Sequence, residues 1–153
     1  MREKTLSVDD SEIVQRIRAN FERQGLMRTM GAKLGSAVLG QVELALTPHA
    51  EISQQNGFVH GSALGALAES AVALSALSLM PPDRGVFTTE YNINFLAPAQ
   101  GDRIIARGKV AKTGRTLTFC QCEVLSERDG REQLIALFTA TLVAVEGRDG
   151  ILG

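Results

Sequence analysis

The chain has 153 residues, 44% of them hydrophobic, which is enough for one domain with a sizeable buried core. Sixteen basic and seventeen acidic side chains give a formal net charge of −1, which excludes the strongly basic surface typical of proteins that bind nucleic acids or anionic membranes. The charged N-terminal stretch lacks the apolar segment of a secretory signal, and no run of about 18 uncharged apolar residues could span a membrane. We therefore expect a cytoplasmic protein.

The first predicted element is a short amphipathic helix, followed by a strand. Three polar residues can cap the helix: Asp9, Asp10 and Ser11. Its apolar stripe has one residue per turn: Ile13, Ile17 and Phe21. Gly25 is predicted to end it. The segment Lys33–Thr47 then adopts a period of two, which predicts one strand bent at Gly35 or Gly40.

A second helix is predicted from Gly61 to about Met80, and it is apolar nearly all round. Four strand candidates follow it: Val86–Leu96, Arg103–Lys112, Thr116–Glu127 and Glu132–Val145. The last two connections are short and contain glycine, as antiparallel hairpins require. This order predicts an α+β domain in which the sheet wraps around the apolar helix. Residues 33–146 would form the core and residues 1–30 an N-terminal helical region.

The two cysteines, Cys120 and Cys122, lie two residues apart in a predicted strand. They supply too few ligands for a structural zinc site, and the histidines are distant in sequence. We expect both to be small buried hydrophobic residues. We predict no metal site and no other cofactor.

The candidates for chemistry begin where the loop NGFVHGS meets the central helix. Gly61 should lie in the first turn, where free N–H groups can stabilise negative charge on an acyl carbonyl. Alternatively, this glycine only allows the turn. Glu69 has no Lys or Arg three or four positions away. It lies either on a solvated edge or at an acyl pocket, as a nucleophile or general base.

The spacing of these two residues has a geometric consequence. Gly61 and Glu69 are eight residues apart, which is about 12 Å along one helix. A reacting carbonyl needs its oxyanion donor and its attacking group each within about 3 Å. Two antiparallel copies of the helix across a two-fold axis would satisfy this requirement, so a dimer with two equivalent pockets is predicted.

Polar residues around the helix start are weaker candidates. His60 is expected to orient the loop through hydrogen bonds rather than to act as a base. Gln54 and Asn56 can offer amide groups to a ligand carbonyl or to the loop, or can simply be solvated.

The next strand and two loops contain further polar candidates. Alternate positions of the strand are polar: Thr88, Glu90, Asn92 and Asn94. These predict an exposed face, or a water-binding hydroxyl at Thr88 or Thr89. Basic residues lie in the loop PPDRG and on a hairpin tip: Arg84, and Lys112 and Arg115 beside Gly114. They could bind nucleotide phosphates, although such tips are commonly basic for solubility.

Three ordered blocks resemble a known family: NGFVHGSALGALAESA, TTEYNINFLAPAQGD and VAKTGRTLTFCQCEV. The chain is similar, over roughly residues 30 to 145, to the hotdog-fold acyl-CoA thioesterases of the PaaI-like and 4-hydroxybenzoyl-CoA groups. That family has an amide residue, then His-Gly-Gly, then an acid nine positions after the histidine. His60, Gly61 and Glu69 fit this spacing, and Gln54 matches the amide.

The resemblance implies an antiparallel sheet of five or six strands wrapped round a central helix. It implies a dimer with a continuous sheet, often paired again into a tetramer. The N–H of Gly61 would polarise the thioester carbonyl, and Glu69 would act from the neighbouring subunit. Thr88, or alternatively Thr89, would position water.

The sequence departs from the family pattern at two positions. Ser62 replaces the second glycine, which could alter access to the helix start. The acid is Glu69, whereas many PaaI-like members have aspartate, and in this respect the chain is more like the hydroxybenzoyl-CoA enzymes.

Together these features predict hydrolysis of acyl-CoA thioesters, aryl or short- to medium-chain, with CoA entering only as part of the substrate. One alternative is a hotdog hydratase or dehydratase, whose loop and spacing differ. Another is a non-catalytic acyl-CoA-binding protein, which would gain nothing from an unpaired helix carboxylate. The acyl group, the choice between attack and base chemistry at Glu69, and dimer against tetramer stay open.

Overall fold

The structure is a computed structural model that describes residues 10–146, with side chains from residue 12 onward. The predicted caps at Asp9, Asp10 and Ser11 therefore lie outside the described side chains. Helix α1 (Asp10–Glu22) is followed by helix α2 (Gly25–Met30). The buried side chains of Ile13 and Ile17 confirm the apolar stripe.

The prediction that Gly25 ends the first helix is wrong. Helix α1 stops at Glu22, and Gly25 begins α2. Gln24, which precedes Gly25, has an extended backbone (φ −78°, ψ 101°), so it separates the two helices and caps the second. Gly31, with φ 70°, ends α2 in the left-handed conformation that glycine favours.

The single bent strand predicted over residues 33–47 is a hairpin of two strands, β1 (Lys33–Val38) and β2 (Gln41–Leu46). The chain reverses at Gly40, which has φ 73°, a conformation that L side chains rarely adopt. The other predicted bend, at Gly35, coincides with an irregularity in the register between Leu34 and Ala37. The turn is short and carries no break in hydrophobicity, so periodicity alone did not reveal the reversal.

The central helix is α3 (Gly61–Leu77), three residues shorter than predicted. It is preceded by a 3-10 turn (Ala50–Ile52) and followed by the four predicted strands. Their bounds are β3 (Arg84–Phe95), β4 (Arg103–Thr113), β5 (Leu117–Arg128) and β6 (Arg131–Glu146). The six strands form one antiparallel sheet in the order β1-β2-β4-β5-β6-β3.

The sheet wraps around α3, which contacts every strand from β2 to β6. This confirms the predicted α+β hotdog arrangement. The small residues of α3 permit the close approach, because a Cβ on Gly108 of β4 would lie only 2.7 Å from the Ala71 carbonyl carbon. Although α3 is strongly apolar, no helix within residues 10–146 has the length and apolarity needed to cross a membrane.

Strand β3 is an edge of the described sheet, because it pairs with β6 on one side only. It is twelve residues long and holds three exposed aromatic side chains: Phe87, Tyr91 and Phe95. Its N–H and C=O groups on the open side have no strand partner in the described chain. Such an edge is a template for pairing with a second strand.

Candidate active site

The N-terminus of α3 has one backbone donor without a partner. His60 is the N-cap, and its side-chain Nδ1 accepts a hydrogen bond from the Ser62 N–H at 3.0 Å. Its carbonyl accepts from the N–H groups of Ala63 (2.9 Å) and Leu64 (3.3 Å). Within residues 10–146, no atom accepts a hydrogen bond from the Gly61 N–H. The first turn therefore presents a single free donor, at the predicted oxyanion position.

This cap fixes the position of the His60 ring. Because the Ser62 N–H is a donor, the Nδ1 of His60 is the acceptor in this contact. The His60 N–H donates to the Ile52 carbonyl at 2.8 Å, which ties the helix start to the preceding turn. These hydrogen bonds of His60 hold the loop in place where it meets α3.

The preceding loop is closed on itself by Gln54. The Gln54 side-chain oxygen accepts from the Asn56 N–H, and the Gln54 N–H donates to the Phe58 carbonyl at 2.8 Å. Asn56 itself is exposed. The structure thus uses the Gln54 amide to shape the loop.

Glu69 lies two turns after Gly61 on α3 and is half-buried. Its Oε1 accepts a hydrogen bond from the Thr88 hydroxyl at 2.5 Å. No ion pair or second hydrogen bond to Glu69 occurs among the described residues, so Oε2 has no protein partner there. One oxygen of the carboxylate is held, and the other is available.

The contact with Thr88 depends on a β-bulge that the sequence analysis missed. Simple alternation placed Thr88 on the same face as Glu90. The register shifts between these two residues, so Thr88 lies opposite the buried Leu142 and Glu90 lies opposite Thr141. The intervening Thr89 is exposed and donates to the Thr141 carbonyl at 2.9 Å. The bulge therefore directs Thr88, and not Thr89, toward Glu69.

Two aromatic residues of β3 also contact α3, and sequence reasoning missed both. A Cβ on Gly61 would lie 2.9 Å from the Phe95 ring, and one on Gly65 would lie 3.7 Å from the Tyr91 hydroxyl. The Tyr91 ring stacks on Phe138, with centroids 4.9 Å apart. The sequence offered one signal: the two glycines are four positions apart, and so are the two aromatic residues. This match can be interpreted only when β3 is known to lie along α3.

Beside these contacts lies a groove of about 530 Å³ between α3 and the open edge of β3, with Gly65 and Tyr91, but neither Gly61 nor Phe95, in its lining. Its lining combines helix and strand residues: Ser62, Gly65, Ala66, Glu69, Thr88, Thr89, Glu90 and Tyr91. Four of these are predicted site residues, namely Ser62, Glu69, Thr88 and Thr89. The groove opens along the edge at which a second strand could pair.

The predicted phosphate-binding residues lie elsewhere, and none lines this groove. Arg84 forms an exposed ion pair with Glu146 at 3.3 Å. Lys112 and Arg115 are exposed, and the turn that contains Arg115 is closed by a hydrogen bond from the Gly114 N–H to the Leu117 carbonyl. On β6, Val143 pairs with Leu117, which follows the turn with Lys112 and Arg115, and Glu146 pairs with Arg84. Val143 and Glu146 are close together on β6, so all three basic residues lie at one end of the sheet.

The two cysteines lie on the inner face of β5, under α3. Both are free and buried, as predicted. Burial raises the pKa of the Cys120 thiol to about 12 and also raises the pKa of Cys122. Among the described residues, no three His, Cys, Asp or Glu side chains lie close enough to hold a metal ion.

A sheet wrapped round a helix that presents a free amide and a half-buried carboxylate defines a hotdog protein with an enzyme-like groove. The model of the thioesterase superfamily matches residues 56–133, which include Gly61, Glu69 and Thr88. The chain belongs to the thioesterase superfamily, and the resemblance noted from its sequence is confirmed.

Individual relatives agree with this assignment. A thioesterase family protein from Silicibacter pomeroyi is 40% identical, with a TM-score of 0.86 over 88% of this chain and 99% of that one. A 1,4-dihydroxy-2-naphthoyl-CoA hydrolase from Listeria monocytogenes is 27% identical over 81% of this chain and 98% of its own length. A point mutant of the phenylacetic acid degradation protein PaaI from Thermus thermophilus is 27% identical, with a TM-score of 0.70 over 78% and 98% of the two chains.

Proposed function

We propose that the protein hydrolyses acyl-CoA thioesters to the free acid and CoA. The observation that supports this most directly is the pairing, on one helix, of a free backbone donor at Gly61 with a carboxylate at Glu69 that has one unoccupied oxygen. The hydrolase named for the Listeria relative acts on a CoA thioester, which favours the same class of substrate. No cofactor is proposed beyond the CoA of the substrate itself.

In the proposed reaction the thioester carbonyl oxygen accepts a hydrogen bond from the Gly61 N–H, which stabilises the developing oxyanion. If Glu69 is the nucleophile, Oε2 bonds to the carbonyl carbon, CoA leaves as a thiolate, and water hydrolyses the resulting anhydride. If Glu69 is the general base, Oε2 takes a proton from the attacking water, and that proton passes to the leaving thiolate. Thr88 holds Oε1 in either case.

The site is proposed to form between two subunits. Gly61 and Glu69 are eight positions apart, about 12 Å along α3, so one subunit cannot place both on the same carbonyl. The open edge of β3 supports pairing with the β3 strand of a second copy, which would extend the sheet across a two-fold axis. Gly61 would then face Glu69 of the partner subunit. Two such dimers would pair into the tetramer that the family resemblance implies.

The basic end of the sheet is proposed to bind the phosphates of CoA. Arg84, Lys112 and Arg115 lie there together and are exposed or half-exposed, and among the described residues only the exposed Glu146 carboxylate pairs with the Arg84 guanidinium. The exposed ion pair is weak and screened by salt, so a phosphate could displace it.

The first test is release of CoA thiol from a panel of aryl and alkyl acyl-CoAs by the purified protein. Activity on at least one substrate is expected, and Glu69→Gln should lower kcat by several orders of magnitude, because the amide can neither attack nor accept a proton. A wild-type protein that binds acyl-CoA without turnover would instead establish a binding protein. A Glu69→Gln variant with the wild-type rate would rule out this site.

The oxyanion donor can be tested separately, because Gly61 is the first residue of α3. Proline suits the backbone at that position, because the extended His60 (ψ 137°) is compatible with a following proline, and its Cβ would meet the Phe95 ring as the Cβ of alanine does. Gly61→Pro removes the N–H, whereas Gly61→Ala adds a Cβ and keeps it. We expect Gly61→Pro to be about 100-fold slower or more than Gly61→Ala. Equal rates would show that this N–H does not serve the reaction.

A further inference from the structure

The ring of Phe95 lies directly beside the residue that supplies the free donor. Three ring carbons fall within 2.9, 3.2 and 3.5 Å of the position that a Cβ on Gly61 would occupy. Phe95 is nevertheless 55% exposed, so one part of the ring covers the helix start and another part faces outward. The adjacent Leu96 is 54% exposed. A large apolar surface therefore borders the proposed oxyanion position.

The bond lengths limit how far this ring can be from the reaction. A hydrogen bond of about 2.9 Å, the N–Cα and Cα–Cβ bonds of about 1.5 Å each, and the 2.9 Å from the Cβ position to the ring place an oxygen bound to the Gly61 N–H no more than roughly 9 Å from the ring. That separation is spanned by the first few carbons on either side of a thioester carbonyl. Phe95 therefore lies within reach of whichever part of the substrate leaves the carbonyl toward it.

The chemistry of the ring indicates which part that is. Phe95 has no hydrogen-bonding group to offer the amides and phosphates of CoA. An exposed aromatic surface beside a polar groove is best covered by apolar ligand surface, and burial contributes roughly 25 cal/mol for each Å². In an acyl-CoA, the acyl group is the extended apolar part next to the carbonyl, because on the thiol side only two methylenes separate the sulfur from the first amide.

We propose that Phe95 determines acyl-group specificity, by forming the wall against which the first carbons of the acyl group pack. This inference rests on the proposed thioesterase site but does not depend on whether Glu69 attacks or acts as a base. It also gives Gly61 a second constraint: any side chain at that position would collide with the Phe95 ring, whatever the substrate.

The test compares kcat/KM for straight-chain, branched and aryl acyl-CoAs between the wild type and Phe95→Ala. Removing the ring should raise kcat/KM for bulky substrates, relative to kcat/KM for small ones, by about 10-fold or more, since pocket fit discriminates groups of this size by that order. Inhibition by free CoA should stay unchanged. The matched control is Phe119→Ala, because Phe119 is 41% exposed and alternates on β5 with the buried Thr118 and Cys120, so it faces away from α3. Its substrate ratios should equal those of the wild type.

The collision with Gly61 allows an independent measurement. If Gly61→Ala is slow because its Cβ displaces the ring, the double variant Gly61→Ala/Phe95→Ala should recover most of the lost rate. Phe95→Leu serves where Phe95→Ala does not fold, and it should give a smaller shift in the same direction.

Several outcomes would overturn the assignment of Phe95. Unchanged substrate ratios in Phe95→Ala would do so, as would an equal loss on all substrates accompanied by a change of oligomeric state. Weaker inhibition of Phe95→Ala by free CoA would show that the ring contacts the CoA part of the substrate instead. If the wild-type protein hydrolyses no acyl-CoA in the substrate panel, the proposed function is wrong, and this inference fails with it. That result comes from the wild type and is therefore distinct from any result of Phe95→Ala.

Discussion

The two oxygens of the Glu69 carboxylate have different surroundings. Oε1 accepts the Thr88 hydroxyl at 2.5 Å, and Oε2 has no partner among the described residues. A threonine hydroxyl has one proton, so while Thr88 donates it to Glu69 it can bind a water molecule only by accepting a hydrogen bond. The contact thus favours a role for Thr88 in orienting the carboxylate, and leaves the predicted water-binding role only the lone pairs of the hydroxyl.

A pair of substitutions at Thr88 tests this positioning role. Thr88→Val keeps the shape but removes the hydroxyl, and we expect kcat to fall about 10- to 100-fold, the effect of one hydrogen bond to a charged group. KM should change little, because the bond is internal to the protein. Thr88→Ser keeps the donor and should retain most of kcat. A fall in both variants, or a change confined to KM, would contradict the positioning role.

At the scale of secondary structure, β5 places both cysteines beneath α3, where burial raises their pKa values. The Cys120 thiol has a pKa of about 12 in the folded protein, against an ordinary value of 9.0. Folding therefore favours the neutral form of the Cys120 thiol over the thiolate. Its contribution to stability is fully present below about pH 9 and is lost as the pH rises toward 12.

We predict a decline in the urea midpoint above about pH 9 that becomes shallower in the Cys120→Ala/Cys122→Ala variant. In the native protein at about pH 8 neither thiol should react with an alkylating reagent, whereas both should react in denaturant. Mass spectrometry counts the modified thiols. Alkylation of the native protein at the rate of a free thiol would show that the inner face of β5 is open to solvent.

The strands and the central helix could be predicted because their apolar periodicity is local. The reversal at Gly40 could not, since no break in hydrophobicity marks the short turn from β1 to β2. The bulge at Thr89 was also invisible, and it decides that Thr88 reaches Glu69. The contact between Phe95 and Gly61 depends on how β3 lies along α3, which no short stretch of sequence encodes.

For the whole molecule, the main question is whether the site is shared by two subunits. Gly61 and Glu69 were linked to separate subunits on the basis of spacing alone, and the structure adds an open β3 edge at the groove. A shared site makes a specific demand. Two inactive proteins, each lacking a different half of the site, must be able to restore one intact site when they assemble together.

We predict that Gly61→Pro and Glu69→Gln subunits, co-expressed and purified through two different tags, regain activity. If the subunits pair at random, half of the dimers are mixed, and each mixed dimer has one intact site and one site with both defects. The unselected mixture should therefore reach about a quarter of the wild-type rate. The control pairs Gly61→Pro with the double variant Gly61→Pro/Glu69→Gln, which leaves no intact site. No recovery in dimers that contain both tags would show that each site lies within one subunit.

The open edge of β3 also has a consequence for solubility. A twelve-residue edge strand with unpaired backbone groups invites uncontrolled strand addition and aggregation. The same strand contains Thr88, which holds the Glu69 carboxylate, and Phe95, which covers the helix start. Lysine or proline, the usual protection of an edge strand, would disturb this groove or block its pairing. A second subunit would protect the edge without altering any side chain that the chemistry needs, so selection for activity and selection against aggregation would favour the same assembly.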